Sequence, residues 1–156
     1  MQISVKKLRK LIREEISLGF SFKQINYTAF ILDDASHDAL LKFVPDGWTA
    51  KAHHMTIAGP ANQEIRIPQR WLDFEGCFEI KAIAKNDQVI TARIDLGGIP
   101  LSIKGPKFPH VTIAINPKTG GKPVMSNDFT PADFDILPEG ETIRVCGQVK
   151  EILHGA

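Results

Sequence analysis

The stretch that decides the reading is Ala52-His53-His54-Met55-Thr56-Ile57-Ala58-Gly59. Its core, His54-Met55-Thr56-Ile57-Ala58, returns as His110-Val111-Thr112-Ile113-Ala114, with only the second position changed, Met in one and Val in the other. Side chains on a β-strand alternate between faces with a period of two. The pattern predicts two strands. In the first, His54, Thr56 and Ala58 share a face, and Met55 and Ile57 take the other. In the second, His110, Thr112 and Ala114 share a face, and Val111, Ile113 and Ile115 turn to the core. Each strand offers an imidazole and a hydroxyl side by side. Two such strands facing each other predict a cleft with two histidines, two threonines and no bulky plug. A lone His-x-Thr is a weak signal; two copies, each in an apolar strand pattern and each followed by Ile-Ala, are a far stronger one.

Working outward, Tyr27–Asp33 predicts a strand with Tyr27, Ala29 and Ile31 on one face. Asp33-Asp34-Ala35-Ser36 then caps a helix running to about Val44, where Pro45-Asp46-Gly47 stops it. Tyr27 lies where an aromatic ring can stack on a base, or equally fill the core. Beyond the first motif, Asn62–Glu75 is irregular, with Pro68 and a short helical turn around Trp71, a second candidate for gripping a base. Phe78–Ala84 and Gln88–Asp95 alternate and flank Asn86-Asp87, predicting a hairpin. Lys104 and Lys107 precede the second motif and Lys122 follows it. All three suit a phosphate, although loop lysines are more often plain surface. Asn116–Ser126, rich in Pro, Gly and Lys, is either a lid or an exposed connector. It is not a P-loop, because Gly121-Lys122 is followed by Pro123 and position 116 is Asn. Thr142–Ile152 predicts the last strand, and Ser4–Leu18 an amphipathic helix with Val5, Leu8, Leu11, Ile12 and Ile16 on one stripe. Its basic residues fit a solvated helix docked on the domain better than a nucleic-acid or membrane contact.

The chain has 156 residues, which predicts one domain, 1–156, with residues 1–19 as a helical appendage. Its net charge of +1 creates no global field toward nucleic acid or membrane. The two cysteines, Cys77 and Cys146, are far apart and form no CxxC. That argues against a zinc ribbon or a disulfide scaffold and makes a reducing compartment the default. With no apolar run of membrane length and no signal-peptide block, the expected location is cytoplasmic.

Cleaving a phosphodiester needs a base for the attacking hydroxyl or water and an acid for the leaving oxygen. Histidine titrates near neutrality, so a pair can divide these roles. Threonine hydroxyls can donate to the non-bridging oxygens where charge grows. His54, Thr56, His110 and Thr112 are therefore the candidate catalytic residues. Two His-x-Thr motifs supply too few convergent ligands for a metal site, and no His-Glu-x-x-His is present, so no metal and no cofactor are expected. His53 is expected to point away from the cleft, and His37 and His154 to be solvated.

The paired His-apolar-Thr-apolar motifs resemble those of the two-histidine (2H) phosphoesterases, the LigT-like superfamily. Tyr27–Asp34, Gly47-Trp48, His53–Thr56 and Pro109–Thr112 with the Gly-Gly loop after them are most similar to its phage branch, the anti-CBASS nucleases that destroy cyclic-nucleotide immune signals. The similarity runs from Asn26 to Ile152, with only the two motifs specific. It implies an α+β fold of two lobes with largely antiparallel sheets around a central cleft, here with the extra N-terminal helix. It implies a metal-independent phosphodiesterase in which the first residue of each motif is the acid or base and the third binds phosphate. The implied partner is a cyclic oligonucleotide or an RNA with a cyclic-phosphate end, with no membrane and no obligate protein partner. For a phage protein the location would be the host cytosol. A nucleotide-binding module without turnover is the alternative of another class, and the four intact motif residues argue against it.

Overall fold

The computed structural model describes residues 25–58, 71–99 and 106–153. They contain the strands β1 (Ile25–Leu32), β2 (Thr49–Ala50), β3 (His54–Ala58), β4 (Glu75–Lys85), β5 (Val89–Asp95), β6 (His110–Ile115), β7 (Asp135–Ile136) and β8 (Ile143–Leu153). The one α-helix among the described residues is α1 (Asp34–Leu41). Every strand pairing is antiparallel. The order runs β6-β3-β1-β8-β4-β5, and β5 pairs back onto β6, so six strands close into a barrel.

This barrel corrects the expected α+β architecture of two lobes around a cleft. The two His-Thr strands do not face each other across a gap. They are neighbours in one sheet, with Met55 opposite Val111. The physical reason is that β6 is paired along both edges, by β3 and by β5. Ring closure leaves it no free edge. The N-terminal helix expected over Ser4–Leu18 lies outside the described residues.

The local rules explain the elements. Each barrel strand turns one face to a shared core: Phe30 and Leu32, Met55 and Ile57, Phe78 and Ile80, Ile90 and Ile94, Val111 and Ile113, and Val145 and Val149. Asp33 caps α1 by accepting the Ser36 N–H at 2.8 Å, and Leu40 carries the helix into the same core. Pro45-Asp46-Gly47 ends the connection in a turn where Gly47 takes φ 82, a conformation that favours glycine. In the β4–β5 hairpin, Asn86 Oδ1 accepts the N–H groups of Gln88 at 2.8 Å and Val89 at 2.9 Å. A second, smaller cluster lies on the opposite face of β4–β6. There Phe129, with Phe108, Met125 and Phe134, covers Ala84 and Val89.

Cys77 and Cys146 are register partners on β4 and β8 and are joined by a disulfide. The reading against a disulfide is thereby corrected. The two residues are 69 positions apart, and only the pairing of β4 with β8 brings them together. No helix among the described residues is long and apolar enough to cross a membrane.

Candidate active site

The Met55–Val111 pair organises the site. Met55, Ile57, Val111 and Ile113 are fully buried in the core. Their strand neighbours His54, Thr56, His110 and Thr112 therefore turn to the barrel's other face. Because the strands are antiparallel, Thr56 lies on the His110 side of the pair and His54 on the Thr112 side. The two imidazoles and two hydroxyls thus form one patch on adjacent strands.

A bulge sets His54. The Ala52 N–H donates to the Thr112 carbonyl at 2.8 Å, yet Met55 is already opposite Val111. The chain advances three residues while β6 moves one, and Ala52 takes φ 54 to allow it. Bulges of this kind re-aim side chains. His53 and His54 are thrown to different neighbours. The His53 ring stacks on His37 at 4.9 Å, and the His54 ring packs on Tyr27 at 5.3 Å. His37 is not merely solvated, as expected from sequence: its Nδ1 lies 2.9 Å from the Ala52 carbonyl and ties α1 to the bulge.

The two site histidines differ electrostatically. Burial, then the charges of His53 and His110, hold the His54 imidazolium below its ordinary pKa. Burial also lowers His110, which is 8% exposed, but the Phe108 carbonyl works the other way. That oxygen lies 2.9 Å from His110 Nδ1 and can only accept, so Nδ1 carries a proton. Nε2 is then the nitrogen that can exchange a proton with a ligand.

Thr112 ends a row of hydroxyls. Thr91 Oγ1 donates to Ser126 Oγ at 2.6 Å, and Ser126 Oγ lies 2.7 Å from Thr112 Oγ1. Thr91 and Ser126 are fully buried. A buried hydroxyl needs an acceptor for its own hydrogen. Ser126 already accepts from Thr91, so donating to Thr112 completes it. Thr112 keeps its own hydrogen, which meets only the Pro123 carbonyl at a long 3.4 Å. That proton is available to a ligand oxygen.

Of the other candidates, Tyr27 joins the patch through His54. Trp71 packs edge-on to Phe74 at 5.5 Å and against the barrel core. Lys104 lies outside the described residues. Lys107 is exposed and its N–H meets Asn127 Oδ1 at 3.3 Å, next to Ser126. Lys122 is exposed and precedes Pro123, whose carbonyl faces Thr112. The Asn116–Ser126 loop is docked on the hairpin turn: the Thr119 hydroxyl and the Asn116 amide both donate to the Asp87 carbonyl, at 2.7 and 2.9 Å. A cavity of about 570 Å³ lies farther round the barrel, lined by Ile31, Glu75, Gln148, Lys150 and the disulfide; neither site histidine lines it. Among the described residues no group of three or more His, Cys, Asp or Glu is placed to hold a metal ion.

Sequence reasoning missed Thr91, Ser126 and Arg93. Arg93 is the register partner of His110 on β5. The signal for Thr91 and Arg93 was their alternation on the hairpin strand, but nothing local says that β5 lies beside β6. No protein-family model matches the chain, and no curated protein matches it.

Proposed function

We propose that the chain is a metal-independent phosphodiesterase that opens cyclic oligonucleotides at a 3′,5′ linkage, with His54 as base and His110 as acid. The observation that carries this reading is the Met55–Val111 register, which puts both His-x-Thr motifs on one patch of adjacent strands. The role assignment follows from the neighbours. Each charge beside His54 disfavours its protonated form, whereas the Phe108 carbonyl favours that of His110. On these neighbours the proposal gives the acid role to His110 and the base role to His54.

In a 3′,5′-linked ring each scissile phosphate has a 2′-hydroxyl on the same ribose. His54 removes the hydroxyl proton as O2′ bonds to phosphorus. The P–O5′ bond breaks, and His110 Nε2–H protonates the departing O5′. The products are a 2′,3′-cyclic phosphate and a 5′-hydroxyl, with no water consumed. Keeping nucleophile and phosphate on one ribose avoids the entropy of capturing a separate nucleophile. Thr56 and Thr112 donate to the non-bridging oxygens, where negative charge develops.

The test is a panel of cyclic di- and trinucleotides and cyclic-phosphate RNA, incubated in excess EDTA, with products separated by chromatography and then assigned by mass and fragmentation, since a ring opened without water is an isomer of its substrate. The proposal expects opening of the cyclic oligonucleotides. Turnover confined to the RNA ends would reassign the chain to RNA-end chemistry. Binding without turnover would make it a non-catalytic nucleotide-binding module. Loss of activity in chelator, restored by one divalent ion, would contradict metal independence. A cytoplasmic setting belongs to the same proposal, and the state of Cys77 and Cys146 in protein taken from cells, read by thiol alkylation, tests it.

A further inference from the structure

Arg93 is an exposed cation on the patch that the proposed chemistry leaves unused. It is the register partner of His110, so it rises from the same face one strand away, about 4.8 Å in the pairing direction. Its guanidinium carbon lies 6.0 Å from the Phe134 ring centre. Phe134 packs edge-on to Phe108 at 5.4 Å, and Phe108 packs on His110 at 4.9 Å. His110, Phe108, Phe134 and Arg93 are thus one contiguous group.

No carboxylate among the described residues pairs with Arg93. Asp95, two residues along the same strand face, is taken by Lys81 at 3.0 Å and by the Gly97 N–H at 2.9 Å. Asp133 is taken by the Thr130 N–H at 2.7 Å and hydroxyl at 3.0 Å. An arginine always carries its charge, and its planar fork matches phosphate. Laid on an aromatic ring, it is held ready rather than free in water.

We propose that Arg93 anchors the phosphate next to the scissile one, making this a site for substrates with at least two backbone phosphates. The inference rests on the phosphodiesterase reading and narrows its substrate. A cyclic dinucleotide presents a second phosphate; the dinucleoside monophosphate ApA has only the scissile one.

The experiment compares wild type with Arg93→Gln and Arg93→Lys on a 3′,5′-cyclic dinucleotide and on the dinucleoside monophosphate ApA, which offers the same 2′-hydroxyl beside a single phosphate, with melting temperatures measured in parallel. For Arg93→Gln the expected result on the dinucleotide is a KM raised about tenfold with kcat within about twofold, the pattern of lost binding shared by ground and transition states. Arg93→Lys recovers part of the loss. The ApA constants stay unchanged. The fall of kcat/KM with added salt becomes shallower for the dinucleotide, as expected when one cation–phosphate contact is lost. Equal effects on both substrates, or no effect on either, overturn the proposal. If the wild type turns over neither substrate, the phosphodiesterase reading fails by itself. The Arg93 proposal is then read from calorimetric affinity for the linear dinucleotide pApA against that for AMP. A selective loss of pApA affinity in Arg93→Gln supports it, and equal affinity overturns it.

Discussion

His110 Nδ1 lies 2.9 Å from the carbonyl oxygen of Phe108, two residues before it on the approach to β6. This contact commits one ring nitrogen to the backbone and leaves Nε2 for chemistry. It also separates His110 from His54, whose neighbours oppose its charge.

The pH profile follows from the two imidazoles. Burial lowers both His54 and His110 from the ordinary 6.5. In the proposed mechanism the base must be neutral and the acid protonated, so activity should fall on both sides of an optimum. Because both imidazoles are lowered in the free protein, the proposed mechanism expects a kcat/KM bell centred on the acid side of 6.5. A kcat/KM profile that keeps rising into alkaline solution would contradict the assignment.

Stability should follow the same groups. A histidine whose folded pKa is depressed binds fewer protons folded than unfolded, so stability is full above the unfolded value and falls as pH drops through it. The window opens at about 6.5 and extends down to the lowered folded values. Urea midpoints measured down through this window should fall less for His54→Gln and His110→Gln than for wild type. An identical pH dependence in all three proteins would refute the linkage.

Ser126 should act through Thr112. Ser126→Ala removes the donor to Thr112 and leaves Thr91 without its acceptor, at a stability cost of about 1–3 kcal/mol. Turnover should drop about tenfold with little change in KM, since the hydroxyl is only misaligned. Thr112→Val, which deletes a direct donor, should cost about 10²-fold or more. A Ser126→Ala variant as slow as Thr112→Val, or as fast as wild type, would rule out this relay.

The disulfide closes a loop between residues 69 positions apart. By chain entropy such a crosslink is worth about 4 kcal/mol. Denaturant unfolding with and without reductant should show a loss of that order, and Cys77→Ala/Cys146→Ala should match the reduced protein. Identical midpoints would show that the crosslink does not contribute.

What sequence could and could not reveal divides by distance along the chain. The faces of β3 and β6 follow from alternation, which is local: Met55 and Val111 are apolar, and both point inward. The Asp33 cap and the Asn86 turn are likewise local. Pairing is not. Nothing in either His-Thr motif says that the two strands touch edge to edge rather than face each other, and the two-lobed expectation failed there. The same gap hid Arg93 beside His110, Ser126 between two threonines, and Cys77 opposite Cys146. The Ala52 bulge was hidden for a different reason: alanine gives no sign of a positive φ.

The central claim is that two imidazoles move protons while a ribose hydroxyl attacks its own phosphate. The most direct measurement is a single-turnover reaction on a 3′,5′-cyclic dinucleotide and on its 2′-deoxy counterpart, with products separated by chromatography and assigned by fragmentation, because the opened ring is an isomer of the substrate whereas attack by water adds the mass of one water. The account predicts a linear product ending in a 2′,3′-cyclic phosphate from the first and no cleavage of the second. His54→Ala and His110→Ala should each slow the first reaction at least ~10²-fold. Cleavage of the 2′-deoxy ring at an undiminished rate would contradict the account and point to direct attack by water.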